Sequence, residues 1–116
     1  MTFSAGEINI ICTDVEKSLK FYRDVPGFIP GQDEDGFYHL KFDGRQYLLL
    51  PTAKQSLPAE KYETVARFSM DLNVNNLEAA YKYFQEYDVE FAMEWKVGAS
   101  MFVIHDPDGL HREAVG

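Results

Sequence analysis

Two stretches of this chain carry the same amphipathic stripe. Between about Asp14 and Val25, the residues Val15, Ser18, Leu19 and Tyr22 fall at i, i+3, i+4 and i+7. That spacing puts small and apolar side chains on one face of a helix. Between about Asn76 and Tyr87 the stripe returns as Leu77, Ala80, Tyr81 and Phe84, each 62 positions after its counterpart. Thr13 with Glu16 predicts a capping box at the first helix, and Asn75 with Glu78 occupies the same offsets at the second. Ahead of each helix the period drops to two. Ile8, Ile10 and Cys12 share one side of an extended segment, and Met70, Leu72 and Val74 repeat them 62 positions later.

Each half also ends in a hairpin. Asp43-Gly44 separates the apolar-rich runs 37–42 and 47–50, and Asp106-Pro107-Asp108-Gly109 separates 101–104 from 110–115. Proline second and glycine fourth suit a type I turn. Shorter strands are expected near Phe28–Gln32 and Glu90–Val97, with Asp33 to Gly36 as a turn or exposed loop. The chain therefore reads as a duplication of strand, helix and three strands. The predicted fold class is α+β: two tandem βαβββ modules whose curved mixed sheets surround a cleft, with helices outside. The two modules, about 6–50 and 65–116, make one domain, joined by a Pro51- and Pro58-bearing linker over 51–64.

Strand alternation says which face is wet. If Ile8, Ile10 and Cys12 lie under a helix, the opposite face carries Glu7, Asn9 and Ile11, and in the second half Ser69, Asp71 and Asn73. A sealed core face seldom holds so many polar groups, since each would need a partner. In the closing strands Gln46, Leu48 and Leu50 share a face, as do His111 and Glu113. The ligand-binding candidates are accordingly Glu7, Asn9, Gln46, Leu48, Ser69, Asp71, Asn73, His111 and Glu113, together with Trp95 as an aromatic contact. A four-residue turn would bring Phe37 and Phe102 to the same side, whereas Tyr47 has the opposite parity. His39 and His105 lie on inner hairpin strands with no partner evident from spacing, and Cys12 reads as a small buried hydrophobe.

Composition narrows the partners. The 116 residues are 46% hydrophobic and carry a formal charge of -8, a globular but acidic chain. A phosphate backbone would be repelled, so nucleic acid is not expected, whereas a cationic or neutral small molecule is compatible. No apolar run approaches the about 20 residues of a membrane span. A single cysteine leaves no internal disulfide, and the N-terminus has no basic start or apolar region of a signal peptide. The expected location is cytoplasmic.

The segment from Ile8 to Phe28, with Asp14-Val15-Glu16-Lys17-Ser18-Leu19-Lys20-Phe21-Tyr22 and then Val25-Pro26-Gly27-Phe28, resembles the opening of the vicinal-oxygen-chelate superfamily. That superfamily includes glyoxalase I, bleomycin-resistance proteins and extradiol dioxygenases. Pro26 stands where the family's "LGF" exit has leucine, and Asp106-Pro107-Asp108-Gly109 followed by Glu113 is similar to its closing hairpin. The resemblance covers the whole chain and implies the duplicated fold. It also implies four ligand positions on the first and last strands of each module, in metal-bearing members typically His, Glu, His and Glu. Here those positions read Glu7, Leu48, Ser69 and Glu113. Zinc, nickel or ferrous iron prefers imidazole plus carboxylate, and leucine has no lone pair to give. No metal or other cofactor is expected, the alternative being a weakly held divalent ion at Glu7 and Glu113.

Two functions follow. One is a glyoxalase/bleomycin-resistance-like protein, of the kind that serves antibiotic resistance, binding a small cationic or aromatic molecule in an acidic cleft without a transition metal. The other is a lyase, isomerase or dioxygenase using a nonstandard metal site or a carboxylate base. Glu7, Glu113 and His111 are its candidate acid, base and proton shuttle. The resemblance further implies a homodimer, which would also cover exposed sheet edges.

Overall fold

A computed structural model describes residues 1–31, 36–52 and 69–116. Most of the linker assigned to 51–64, the start of module two near 65, and Asp33 to Asp35 lie outside the described residues. The chain divides into two compact units, Met1–Gln55 and Ser56–Gly116.

In the first unit, β1 (Ile8–Ile11) leads into α1 (Val15–Asp24), followed by β2 (Ile29–Pro30), β3 (Tyr38–Phe42) and β4 (Arg45–Leu50). The sheet runs β1-β4-β3-β2, with β1 parallel to β4 and the other pairs antiparallel. Ser18, Leu19 and Tyr22 of α1 are buried, as the stripe predicts. In the sheet, Ile10, Cys12, Leu40, Tyr47 and Leu49 are likewise buried, all at most 5% exposed. Phe28 seals this core: it stacks on Phe42 at 4.4 Å and lies 4.9 Å from Tyr47. Gly27 at φ +91° supplies the left-handed step that lets Phe28 turn back, its amide donating to the Tyr22 carbonyl.

The second unit repeats the plan with β5 (Ser69–Asn73), α2 (Leu77–Glu86), β6 (Phe91–Met93), β7 (Met101–His105) and β8 (His111–Val115), in sheet order β5-β8-β7-β6. Leu72, Phe84, Phe102, Ile104 and Ala114 form its core. Both modules are therefore βαβββ, and each mixed sheet has four strands, as the periodicity implies.

Two local expectations need correction. The helix caps lie one residue later than the capping boxes suggested. Asp14 accepts from the Lys17 amide at 3.2 Å, and Asn76 from the Ala79 amide at 2.9 Å. A carboxylate or amide at Ncap reaches the third helical N–H directly, so Thr13 and Asn75 fall outside the helices. Second, Phe102 does not face the polar side. The β7–β8 connection holds Asp106 to Leu110 between the paired His105 and His111, one residue more than a four-residue turn. The longer loop sets Phe102 opposite Ala114 and Val103 opposite Glu113, and a one-residue change flips every side chain to the other face. Phe102 is fully buried, 5.4 Å from Tyr81 and 5.8 Å from Phe84. Asp106 fixes that loop by accepting from the amides of Asp108 and Leu110 at 2.9 and 2.8 Å. Tyr38 turns to α1, its hydroxyl donating to Glu16 at 3.0 Å.

Candidate functional site

The side of each sheet away from its helix carries the chemistry. In the first unit the register sets Asn9 beside Leu48 and His39 beside Leu48, and Lys41 beside Gln46. Neighbours across a ladder share a face, so Asn9, Gln46, Leu48 and His39 lie together, and Glu7 joins them by parity. Glu7, Asn9 and Gln46 are exposed, while Leu48 and His39 are half-buried. One contact was not legible in the sequence. His39 Nδ1 lies 2.8 Å from Glu7 Oε2, so the pair bridges β1 and β3 over the intervening β4. A histidine given no partner by spacing thus has a carboxylate.

In the second unit Ser69 is paired with His111, Asp71 with Glu113 and Asn73 with Val115. Four of the candidate residues, Ser69, Asp71, Asn73 and Glu113, share this face. Ser69 donates its hydroxyl proton to Glu113 Oε2 at 2.8 Å. Asp71, directly across from Glu113, has its carboxyl pKa raised above the ordinary value. The first cause is a hydrogen bond with Glu113, followed by partial burial and repulsion from the same carboxylate. Two like charges one strand apart are unfavourable, and holding one proton between them relieves this.

Trp95 groups elsewhere. Its indole N–H donates to the Ala99 carbonyl at 3.1 Å, and its ring lies 6.0 Å from Tyr81 of α2, among the helix-side aromatics. His105, also without an expected partner, sits 3.0 Å from Glu90 with its side chain 4% exposed.

The registers make the two modules superimposable position by position. Asn9-Leu48-His39 in the first corresponds to Asp71-Glu113-Val103 in the second. Leu48 and Glu113 are therefore equivalent, as are Glu7 and Ser69. Over residues 4–113 the sequence matches the Glyoxalase/Bleomycin resistance protein/Dioxygenase superfamily. The chain belongs to this superfamily. Solved structures share its fold at low identity. The fosfomycin resistance protein FosX from Mesorhizobium loti superposes with a TM-score of 0.74 at 9% identity, covering 99% of this chain and 92% of that one. An integron cassette protein from the mobile metagenome of V. cholerae gives 0.69 at 21% identity, over 98% and 95%. Lactoylglutathione lyase from Agrobacterium tumefaciens gives 0.67 at 18%, over 97% and 92%. No curated protein matches the chain.

The resemblance implies metal-ligand positions at Glu7, Leu48, Ser69 and Glu113. This donor set does not fit zinc, nickel or ferrous iron. It contains no imidazole, Leu48 offers no lone pair, and the neutral Ser69 hydroxyl is spent as a donor to Glu113. Among the described residues no group of three or more His, Cys, Asp or Glu side chains gathers as metal ligands would. No helix among them is long and apolar enough to cross a membrane.

Proposed function

We propose that this superfamily member is a cytoplasmic, homodimeric protein that binds a small cationic or aromatic molecule at its polar sheet faces without a first-row transition metal. One observation carries the reading: Glu113 accepts from the Ser69 hydroxyl and stands across the ladder from Asp71, two carboxyl groups side by side on one face. A carboxyl pair of this kind keeps net negative charge on an open face and attracts ammonium or guanidinium groups. The chain's formal charge of -8 acts in the same direction. The edges β1 and β2, and β5 and β6, are the strands a second copy would cover.

A second reading, catalysis by a carboxylate base in the manner of a lyase or isomerase, draws on the same carboxyl pair, since two carboxyls with separated affinities can act as acid and base. Titration calorimetry with planar cations and cationic glycopeptides tests the first reading. Saturable binding weakened by Glu113→Gln is expected, and silence across the panel would overturn it. Turnover of a neutral panel compound, abolished by Glu113→Gln, would favour the second.

A further inference from the structure

We infer that Met93 and Met101 are specificity-determining residues of the second unit's polar face, and that its ligand is an arylalkylammonium. Such a molecule carries an ammonium group for Asp71 and Glu113 and an aromatic ring for the two methionines. The inference deepens the binding reading above and rests on it for the existence of a ligand.

A shift in the β6 register decides which face Met93 joins. Phe91 pairs with Ile104, and in an unbroken antiparallel ladder Met93 would then pair with Phe102, on the helix side. Instead the register shifts between Phe91 and Met93, and Met93 pairs with Val103. Val103 pairs with Glu113 and Glu113 with Asp71, so Met93, Val103, Glu113 and Asp71 form one row across all four strands. An extra residue in a strand disrupts the ladder locally and re-aims the side chains that follow. Here it takes a long apolar side chain away from the core of Phe84 and Phe102 and sets it on the face of the carboxyl groups. Met101 pairs with Val115, two places along β7 from Val103, which makes it the diagonal neighbour of Met93 on the same face. Trp95 closes the loop between the two methionines, its indole N–H donating to the Ala99 carbonyl at 3.1 Å.

The row sorts its chemistry by strand. Val103 has no exposed surface, so the apolar atoms that a ligand meets belong to Met93 and Met101, both half-buried. An unbranched, polarizable thioether adapts to a ring and is attracted to its edge. On β5 and β8, Asp71 is exposed and Glu113 half-buried, and their oxygens suit an ammonium N–H. Neighbouring strands lie about 4.8 Å apart, which sets β6 about 10 Å from β8. A ring and a charge joined by a short alkyl chain match that span, whereas methylammonium or guanidinium alone reaches only the carboxyl end. The duplication supplies an internal comparison. The equivalent row of the first unit reads Gly31, His39, Leu48 and Asn9. A Cβ at Gly31 would lie 3.2 Å from the His39 carbonyl oxygen, so the close backbone approach leaves no room for an apolar arm there. The pairing of carboxyl groups with methionines thus belongs to one module alone, which a requirement of the shared fold would not produce.

Methyl NMR titration of methionine-labelled protein tests the inference. The probes are ω-phenylalkylammonium ions with one to four methylenes, set against methylammonium and guanidinium. The ringed ions should bind at least about tenfold more tightly than methylammonium. Met93→Ala should weaken the ringed ions about two- to tenfold and leave methylammonium unchanged, with Met93→Leu recovering most of the loss. Equal affinity for ringed and ringless ions, or a Met93→Ala loss that is the same for both, would overturn the inference and leave the binding reading standing. The free protein reads the placement itself: a nuclear Overhauser contact from the Met93 methyl to Val103 is expected, and one to the Phe102 ring instead would overturn it. Silence from every ion with the Val103 contact intact would overturn the binding reading and the ligand class with it, so the two failures are distinguishable.

Discussion

Asp71→Asn should stabilise this protein at neutral pH and lose that advantage in acid. Asp71 stands directly across the β5–β8 ladder from Glu113, and its carboxyl pKa is raised first by a hydrogen bond with that residue, then by desolvation and by the repulsion of its charge. A group whose folded pKa lies above its unfolded one favours the folded state below the unfolded value. That contribution fades as pH rises through the folded value, above which two carboxylates face one another. Asparagine keeps the size of the side chain and a donor toward Glu113 while removing the second charge. Like charges directly opposite on a sheet cost about 0.2–1 kcal/mol, and the exposure of Asp71 argues for the lower part of that range. For a chain of 116 residues this corresponds to a Tm rise of about 1–4 °C at pH 7. Below the ordinary carboxylate pKa of about 4 the native Asp71 is protonated in both states, and the gain should vanish. Differential scanning calorimetry of both proteins at pH 7 and near pH 3 makes the measurement. A loss of Tm at pH 7, or an equal gain at both pH values, would refute the facing-carboxylate picture.

Two further substitutions probe the scaffold beneath the site. Phe102→Ala removes a ring with no exposed surface from contact with Tyr81, Phe84 and Phe91, and should cost about 3–5 kcal/mol in urea unfolding. A cost below 1 kcal/mol would mean that Phe102 is not in the core. Asp106→Ala leaves two amides of the β7–β8 loop without their 2.9 and 2.8 Å acceptor and should cost about 2–3 kcal/mol, with Asp106→Asn recovering part. Equal losses for the two variants would show that the side-chain oxygen does not hold the loop.

The fold was legible because the duplication states each element twice, and because burial of Ile10, Cys12 and Tyr47 against Asn9 and Gln46 follows from alternation alone. The equivalence of Leu48 and Glu113 was legible for the same reason. Phe102 was not, since its face depends on whether the hairpin loop holds four residues or five, and Asp-Pro-Asp-Gly has the turn chemistry of the shorter one. The Glu7–His39 contact was hidden more deeply. The two residues are 32 apart in sequence and meet only because β4 inserts between β1 and β3, an order that periodicity does not encode. The capping shift is a smaller case. Thr13-Asp14 and Asn75-Asn76 each offer two adjacent cap formers, and only the backbone decides between them.

Metal loading addresses the central claim most directly. Purified protein incubated with equimolar Zn²⁺, Ni²⁺ or Fe²⁺, then desalted and analysed by inductively coupled plasma mass spectrometry, should retain far less than one ion per chain. Of the four positions that the resemblance implies as metal ligands, two hold leucine and a serine that donates to Glu113, and none holds an imidazole. Retention of one equivalent that Glu113→Gln abolishes would contradict the account.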